Sequence, residues 1–325
     1  MVNNSQKIPL VTIAMPVKNR SWCLTKVLDE IVKDEYTKKR IRFVFVDNMS
    51  TDGTYELLQE FKDRYKNEYN DIVLSRDGGN LPELRNICVE MGAGSDFILF
   101  LDSDVVVQGT NTIRRMLEHF EDENVGMVAI PYFSSGKIPV YEKIWMLKEK
   151  GVQCVQEAKM GLTMIRYSVF PSIGSFDQEY HTEELIAEDG EYSSRVVNHG
   201  YKIIQLSEVF ALHLHDVRIN YFSNLFKRMA PFRWRVIKKT KPVRYVLRLL
   251  LYSMLIGSLL LVPFYLPFTL LTFFIMFCTI YAFHLVRMRT LYGKLIGPPF
   301  LIMTGIVYAL GIYRAMLIDL ITTRG

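Results

Sequence analysis

Along the first hundred residues, short runs of β-branched and aromatic apolar residues alternate with longer stretches in which apolar residues return every three or four positions. The runs are Val11-Thr-Ile-Ala-Met-Pro16, Phe43-Val-Phe-Val-Asp47, Ile72-Val-Leu-Ser75 and Phe97-Ile-Leu-Phe-Leu101. They lack an in-out alternation, so they read as strands covered on both faces, as in a parallel sheet. The intervening stretches, Ser21 to Val32, Thr54 to Lys66 and Leu81 to Met91, carry helical spacing. Asn80 caps the last of these and Pro82 lies in its first turn. Strand and helix in turn predict an open, doubly wound α/β sheet, in which ligands bind at the carboxyl ends of the strands.

The pattern changes in the last third. Leu249 to Val286 contains no Asp, Glu, Lys or Arg in 38 positions. As one helix it would reach about 57 Å, nearly twice a hydrocarbon core of roughly 30 Å. Val262-Pro-Phe-Tyr-Leu-Pro267 breaks it, because each proline removes a helix donor and clashes with the preceding turn. The expectation is a helical hairpin with arms at 243–262 and 268–286, followed by a third span at 295–317. The chain then divides into a body (1–220), a basic juxtamembrane segment (221–248) and a transmembrane region (249–325).

Charge follows the same division. Up to Asn220 there are 25 Lys and Arg against 33 Asp and Glu, and from Tyr221 there are 14 against the single acid Asp319. An acidic body with a basic, apolar tail excludes a uniformly basic nucleic-acid binder and points to membrane lipids as a partner. The nine cations from Lys227 to Arg248, with Phe226, Phe232 and Trp234 among them, fit either a collar on anionic headgroups or a plain stop-transfer flank, with Arg244 and Arg248 snorkelling. The positive-inside rule puts this segment and Arg287 to Lys294 in the cytosol and the proline turn outside, giving a multi-pass membrane protein with a cytoplasmic body. Met1 to Pro9 lacks the apolar core of a secretory signal. Cys23, Cys88, Cys154 and Cys278 form no CxxC pair, which disfavours a disulfide framework or a cysteine metal site.

The strand ends bring candidate chemistry together. Pro16 to Arg20, Asp47 to Thr54 and Asp102-Ser103-Asp104 share one crevice. Asp47 can accept from a base or ribose, Ser50 or Asp52 can cap the following helix, and Gly53 relieves the turn. Asp102 and Asp104 repel each other unless they share a cation. Mg²⁺ or Mn²⁺ completes its shell with water and substrate phosphate, so two carboxylates suffice when a diphosphate is the other ligand. The chain has no GxxxxGK[ST], no GxGxxG after the first strand and no GxSxG, which disfavours P-loop enzymes, kinases, ordinary dehydrogenases and α/β-hydrolases. Thr182 to Glu191 packs five carboxylates before a predicted helix. The helix dipole accounts for some of them, and one can act as general base, assigned to Asp189 with Glu188 or Glu191 as alternatives. His213 and His215 alternate on a predicted strand and share a face. One of them, taken as His215, is a candidate metal contact.

Met15-Pro16 with Asn19, the stretch Val46-Asp47-Asn48-Met-Ser50-Thr51-Asp52-Gly53-Thr54, Arg85-Asn86 ahead of Phe100-Leu-Asp102-Ser-Asp104, Gly174-Ser-Phe176-Asp177 and Glu188-Asp189 together resemble glycosyltransferase family 2, over about residues 9–216. The resemblance implies a GT-A fold, a UDP- or GDP-sugar donor, a divalent metal and inversion at the anomeric carbon. It implies that Pro16, Val17, Asn19 and Asp47 border the base, that Arg85 and Ser103 lie near the donor, and that Asp102 and Asp104 hold the metal. Asp189 becomes the base, and Gly174, Ser175, Glu188 and Arg233 fall on the acceptor or phosphate side. Asn48 replaces the second acid of the family's Asp-Asp-Gly-Ser pattern. Ala230 stands where processive synthases of the family carry Gln before Arg-Trp, which disfavours a processive polymer synthase. A body joined to C-terminal spans looks like enzymes acting on lipid-linked acceptors, including polyprenyl- and dolichyl-phosphate sugar synthases. The rival readings are a soluble or polysaccharide acceptor, a catalytically silent nucleotide-sugar-binding scaffold, and a transporter, the last disfavoured by too few spans and no intramembrane acid.

Overall fold

The computed structural model describes residues 8–135, 151–180, 188–214, 223, 225–231, 234, 237–238, 243–260, 266–285 and 291–322. The described residues up to 214 form one compact unit and those from 223 another.

In the first unit, β1 (Val11–Val17), β2 (Ile41–Asp47), β3 (Asp71–Arg76) and β4 (Phe97–Leu101) are parallel neighbours, with α1 (Leu24–Ile31), α2 (Thr54–Tyr65) and α3 (Leu81–Met91) between them in sequence. All four apolar runs are strands and all three periodic stretches are helices. The sheet has eight strands in the order β3-β2-β1-β4-β9-β6-β10-β8. Here β6 is Val125–Ala129, β8 Val152–Val155, β9 Leu162–Arg166 and β10 Lys202–Leu206. β9 runs antiparallel to both β4 and β6. A three-stranded sheet joins β5 (Val105–Val106), β11 (Ala211–His213) and β7 (Tyr132–Ser134). Short helices α4 (Thr112–Leu117) and α5 (Val169–Ile173) and the longer α6 (Glu188–Asn198) complete the unit.

Both sheet faces are buried. Ile13, Phe43, Phe45 and Leu99 pack on one side and Ala14, Val44, Ile98 and Phe100 on the other, which is why the strands read as continuous apolar runs. The helix starts follow from local chemistry. Asp52 accepts from the Thr54 N–H at 3.1 Å, with Gly53 at φ 93° before it. Asn80 and Glu83 form a reciprocal capping box at α3. Because β2 and β4 lie on opposite sides of β1, the chain reverses its winding between β1 and β4, the kind of switch point at which open α/β sheets bind ligands.

The second unit contains α7 (Val243–Leu260), α8 (Leu266–Leu285) and α9 (Leu291–Thr322). Pro267 falls in the first turn of α8, where a missing N–H costs nothing. Among the described residues one helical stretch, Gly297–Ile321, is long and apolar enough to cross a membrane. α7 packs against both α8 and α9, and α8 against α9. Val246 and Leu249 of α7 gather with Tyr308, Ile312 and Met316 of α9, whereas Tyr252 and Leu255 gather with Ile302 and Ile306. Rising numbers on α7 meet falling numbers on α9, so these two helices are antiparallel, and Ile280 of α8 joins them beside Leu255. Gly305 permits the approach, since a Cβ there would lie 2.0 Å from Cζ of Tyr252. At the far end, Lys238 Nζ donates to both Asp319 oxygens (2.7 and 3.0 Å) and Trp234 Nε1 to Oδ2 (3.3 Å). The last acid of α9 therefore returns to the basic segment that precedes α7, rather than running away from it as three alternating spans require. Apolar periodicity identifies helices but carries no information on which of them pair.

Candidate active site

The edge formed by the ends of β1, β2 and β3 is set by strand register. Val17 pairs with Asp47 and Asp47 with Arg76, so three strand ends stand side by side. Asp47 is fully buried. Its Oδ2 accepts from the Ser50 N–H at 3.1 Å and pairs with Arg76 Nε at 3.2 Å, while Oδ1 is buried with no hydrogen-bond partner. A carboxylate oxygen left dry is costly, and a ligand N–H or O–H would satisfy it. Asn19, at φ 50°, donates its N–H to Ser50 Oγ and accepts from the Thr51 N–H. This stitches the loop after β1 to the loop after β2, and it assigns Ser50 to loop tying and Asp52 to the helix start. Asn48 Nδ2 donates to the Gly79 carbonyl at 2.9 Å, so the residue replacing the family's second acid holds the loop before α3. Pro16 and Val17 are buried within β1, which leaves Lys18 and Asn19 as the exposed residues of that loop.

Asp102 leaves the end of β4 and donates its N–H to the Gly161 carbonyl at 2.9 Å. A Cβ on Gly161 would lie 2.6 Å from Asp102 Oδ2 and 2.6 Å from Cε1 of Tyr132, so a larger residue there would displace that carboxylate or the ring. Asp104 is buried, with Arg20 Nε at 3.3 Å and His213 Nε2 at 3.4 Å. His213 arrives there because β11 pairs with β5 directly after the acids. Ser103 is buried between them, its carbonyl accepting from Cys23 Sγ. Burial pushes Asp102 above the usual carboxylate range, with Arg85 opposing it.

Among the described residues no three carboxylate, histidine or cysteine side chains already surround a metal-sized point. The donor set nevertheless fits a divalent ion completed by its substrate. Two carboxylates one residue apart, Asp102 partly open beside Gly161 and Asp104 buried, stand with an imidazole at Asp104. Such an oxygen-rich set suits Mg²⁺ or Mn²⁺ when diphosphate and water supply the remaining ligands.

The base candidates lie on α6 and are sorted by Arg85, which is 2% exposed. Its Nη1 reaches Glu188 Oε1 at 2.9 Å and Asp189 Oδ1 at 2.8 Å, and its Nη2 lies 3.7 Å from Asp102 Oδ1. The Phe100 and Phe176 rings, edge to face with each other, lie against it. Arg85 therefore lies beneath the crevice, engaged with three carboxylates. Burial opposes its charge, but Asp189, Glu188 and Asp102 hold it above its ordinary range. Asp189 Oδ2 accepts from the Met160 N–H at 3.1 Å. Burial lifts the Asp189 carboxyl to about 7, against the pull of Arg85. Glu191 is bound to Arg195, and Glu188 is 2% exposed. The carbonyls of Ile173 and Ser175, on either side of Gly174, also accept from Arg195. Of the three acids, Asp189 is the one partly open to a substrate. His215 and Arg233 lie outside the described residues.

Arg85→Met should destabilise the protein by about 3–5 kcal/mol, because it strands buried carboxylates. Denaturant unfolding checks this, and a change under 1 kcal/mol would deny the network. Sequence reasoning missed Arg76 and Gly161. Only Arg76 had a signal, lying one residue beyond a predicted strand parallel to the one ending at Asp47.

Residues 12–172 match the family described as Glycosyl transferase family 2. Among relatives, the O-antigen chain rhamnosyltransferase WbaN of Salmonella anatum is 26% identical over 195 residues, 55% of this chain and 58% of that protein. Glycosyltransferase AglE of Haloferax volcanii is 24% identical over 219 residues, covering 63% of this chain and 67% of that protein. The match thus spans little more than half of the first relative. Among solved structures, the mannosyltransferase PcManGT from Pyrobaculum calidifontis in complex with GDP-Man and Mn²⁺ superposes with a TM-score of 0.61 at 15% identity, over 97% of this chain and 88% of that one. S. aureus TarS 1-349 in complex with UDP gives 0.50 at 17% identity, over 71% and 72%. The solved neighbours show a GT-A-like fold, and the family match lies over its first part. The chain carries a glycosyltransferase family 2 domain.

Proposed function

We propose that this protein is an inverting glycosyltransferase that moves a sugar from a UDP- or GDP-sugar to a lipid-linked or polymeric glycan acceptor at the cytosolic face of a membrane. The observation that carries the reading is the meeting of Asp102 and Asp104 at one strand end with Asp189 on α6, the two halves joined by Arg85. An acceptor hydroxyl attacks the anomeric carbon, the bond from that carbon to the diphosphate oxygen breaks with its electron pair, and Asp189 takes the hydroxyl proton. A bound Mg²⁺ or Mn²⁺ would neutralise charge on the departing diphosphate, with Asp102, Asp104 and His213 holding it. The unpartnered Asp47 Oδ1 suits a base or ribose donor group.

Support for the acceptor class comes from relatives whose names specify O-antigen chains, and from the Bacillus spizizenii poly(ribitol-phosphate) beta-glucosyltransferase, 29% identical over 35% of this chain. Support for membrane attachment comes from the Gly297–Ile321 stretch and from apolar side chains facing outward on all three C-terminal helices, among them Met254, Phe274 and Leu317 at 60% exposure or more. Such a face suits lipid. On this reading α7 and α9 cross the membrane as an antiparallel pair, with the Asp319 end on the cytosolic side.

The test is a donor screen on the detergent-solubilised protein, following thermal shift and sugar-nucleotide turnover for UDP, GDP and dTDP sugars with and without Mn²⁺. Stabilisation and turnover of one UDP- or GDP-sugar, enhanced by Mn²⁺, are expected. Binding without turnover in the presence of membrane glycolipids would indicate a silent scaffold, and no binding of any donor would refute the reading.

A further inference from the structure

We propose that Arg20 couples cation and donor binding: its guanidinium screens Asp104, and the incoming diphosphate becomes that guanidinium's partner as the cation takes over the carboxylate. This rests on the proposed function and adds to it a reason for the two ligands to bind together.

The backbone at residue 20 is fixed from several directions. Three consecutive residues of the loop after β1 donate backbone N–H groups to side chains of the loop after β2, Asn19 to Ser50 Oγ at 2.9 Å, Arg20 to Thr54 Oγ1 at 2.7 Å and Ser21 to Asp52 Oδ2 at 3.0 Å. The Arg20 carbonyl accepts from the N–H groups of Cys23 and Leu24, which opens α1. The Arg20 side chain therefore starts from a set point beside Asn19 and ends at Asp104.

Among the described residues two arginines face the acid pair, and they are held differently. Arg85 is buried and bound to Glu188 and Asp189, which makes it a permanent counter-charge for Asp102. The Arg20 side chain is 32% exposed. Its Nη1 donates to the carbonyls of Lys18 and Asn19 in its own loop, at 3.1 and 3.3 Å. Its Nε lies 3.3 Å from Asp104 Oδ2, yet among the described residues that Nε has no hydrogen-bond partner. The contact is one of charge without a directional bond, so giving it up strands no hydrogen bond. A part-exposed pair of this kind is worth little by itself. Asp104, 10% exposed, needs another cation in its place.

Charge ties the two ligands together. A divalent ion at Asp102 and Asp104 enters against the positive charge of Arg20, and a diphosphate enters against the negative charge of the acids. Each ligand lowers the obstacle to the other. The cation relieves Asp104 of its need for Arg20, and the diphosphate offers the planar guanidinium acceptor oxygens that suit its fork of donors. A donor reaching from Asp47 to the acid pair passes residue 20, whose backbone is tied to the loop after β2 and whose side chain stands at Asp104. By linkage, the factor by which diphosphate tightens cation binding equals the factor by which the cation tightens diphosphate binding.

The experiment uses the full chain in detergent, as wild type, Arg20→Gln and Arg20→Lys. Calorimetry measures Mn²⁺ binding to the nucleotide-free protein, and then UDP and GDP binding at saturating Mn²⁺, while thermal unfolding follows each variant. Arg20→Gln is expected to bind Mn²⁺ about tenfold more tightly without nucleotide, and to bind the nucleoside diphosphate about tenfold more weakly with Mn²⁺. Arg20→Lys keeps the charge, so its nucleotide-free Mn²⁺ affinity should stay near that of wild type while nucleotide affinity recovers in part. If Arg20→Gln leaves nucleotide-free Mn²⁺ affinity within twofold or weakens it, Arg20 does not compete for Asp104 and the inference fails while the proposed function stands. Tighter Mn²⁺ with nucleotide affinity unchanged also overturns it, because the diphosphate then makes no use of the guanidinium. If both variants lose every ligand together with thermal stability, residue 20 only holds its loop and the inference fails. Wild-type protein that binds neither nucleotide with Mn²⁺ defeats the underlying function.

Discussion

Asp189→Asn is expected to lower kcat by about 10³-fold while leaving Mn²⁺-dependent nucleotide binding within about twofold, because the base acts on the acceptor and not on the donor. Asparagine has one acceptor oxygen for two donors, so it keeps the contact to either Arg85 or the Met160 N–H and loses the other; thermal unfolding separates that stability cost from the chemical loss. The wild-type rate should also depend on pH in a defined direction. Burial lifts Asp189 to about 7, and the base works only when deprotonated. Activity should rise with pH through about 7 and level off above it, falling about tenfold per unit on the acid side. A flat profile down to pH 5, or equal loss of binding and turnover in the variant, would move the base elsewhere on α6. Undiminished transfer by Asp189→Asn would mean that the nucleophile needs no base, as for an acceptor phosphate oxygen, and would replace the hydroxyl acceptor proposed above.

Replacing Asp104 by Ala should remove the divalent-ion dependence of donor binding and reduce kcat/KM by at least about a hundredfold, since a cation on the diphosphate supplies several kcal/mol of charge stabilisation at the leaving group. Two neighbours sharpen the expectation. Arg20 loses its carboxylate partner, and Asp102 and His213 are left as one carboxylate and one imidazole for a hard cation. His213→Ala, which keeps both carboxylates, should cost only about tenfold. Calorimetry of UDP and GDP binding, run with and without Mn²⁺ on both variants, reads the difference. Retained Mn²⁺ enhancement in Asp104→Ala would take the metal away from this strand end. A His213→Ala loss as large as that of Asp104→Ala would make the imidazole a full partner.

Much of the site was legible because parallel strands announce themselves. Apolar runs ending in Asp47 and in Asp102-Ser-Asp104 place those acids at carboxyl edges by the fold rule alone, and the capping signals at Asn80 and Asp52 depend only on near neighbours in sequence. Other features lay beyond reach for the same reason reversed. Arg85 looked like a donor contact until α3 and α6 were brought together, 103 residues apart in sequence at the Glu188 contact. Tyr132 and Gly161 belong to no motif, and they meet through the antiparallel pairing of β9 with β4 and the closing of the small sheet around β11. The C-terminal helices were visible as helices, but the pairing of α7 with α9 was not, since it depends on Gly305 and on Asp319 reaching Lys238.

The sequence by itself determined the α/β class, the four strands that carry the crevice, the acids at their ends and the apolar character of the tail, because each follows from local periodicity and from residues within one turn of one another. Only the tertiary structure decided which acid stands open, which arginine is buried among them and which helices pair. Those outcomes depend on desolvation and on contacts between residues far apart in sequence, and neither quantity exists until the chain has closed on itself.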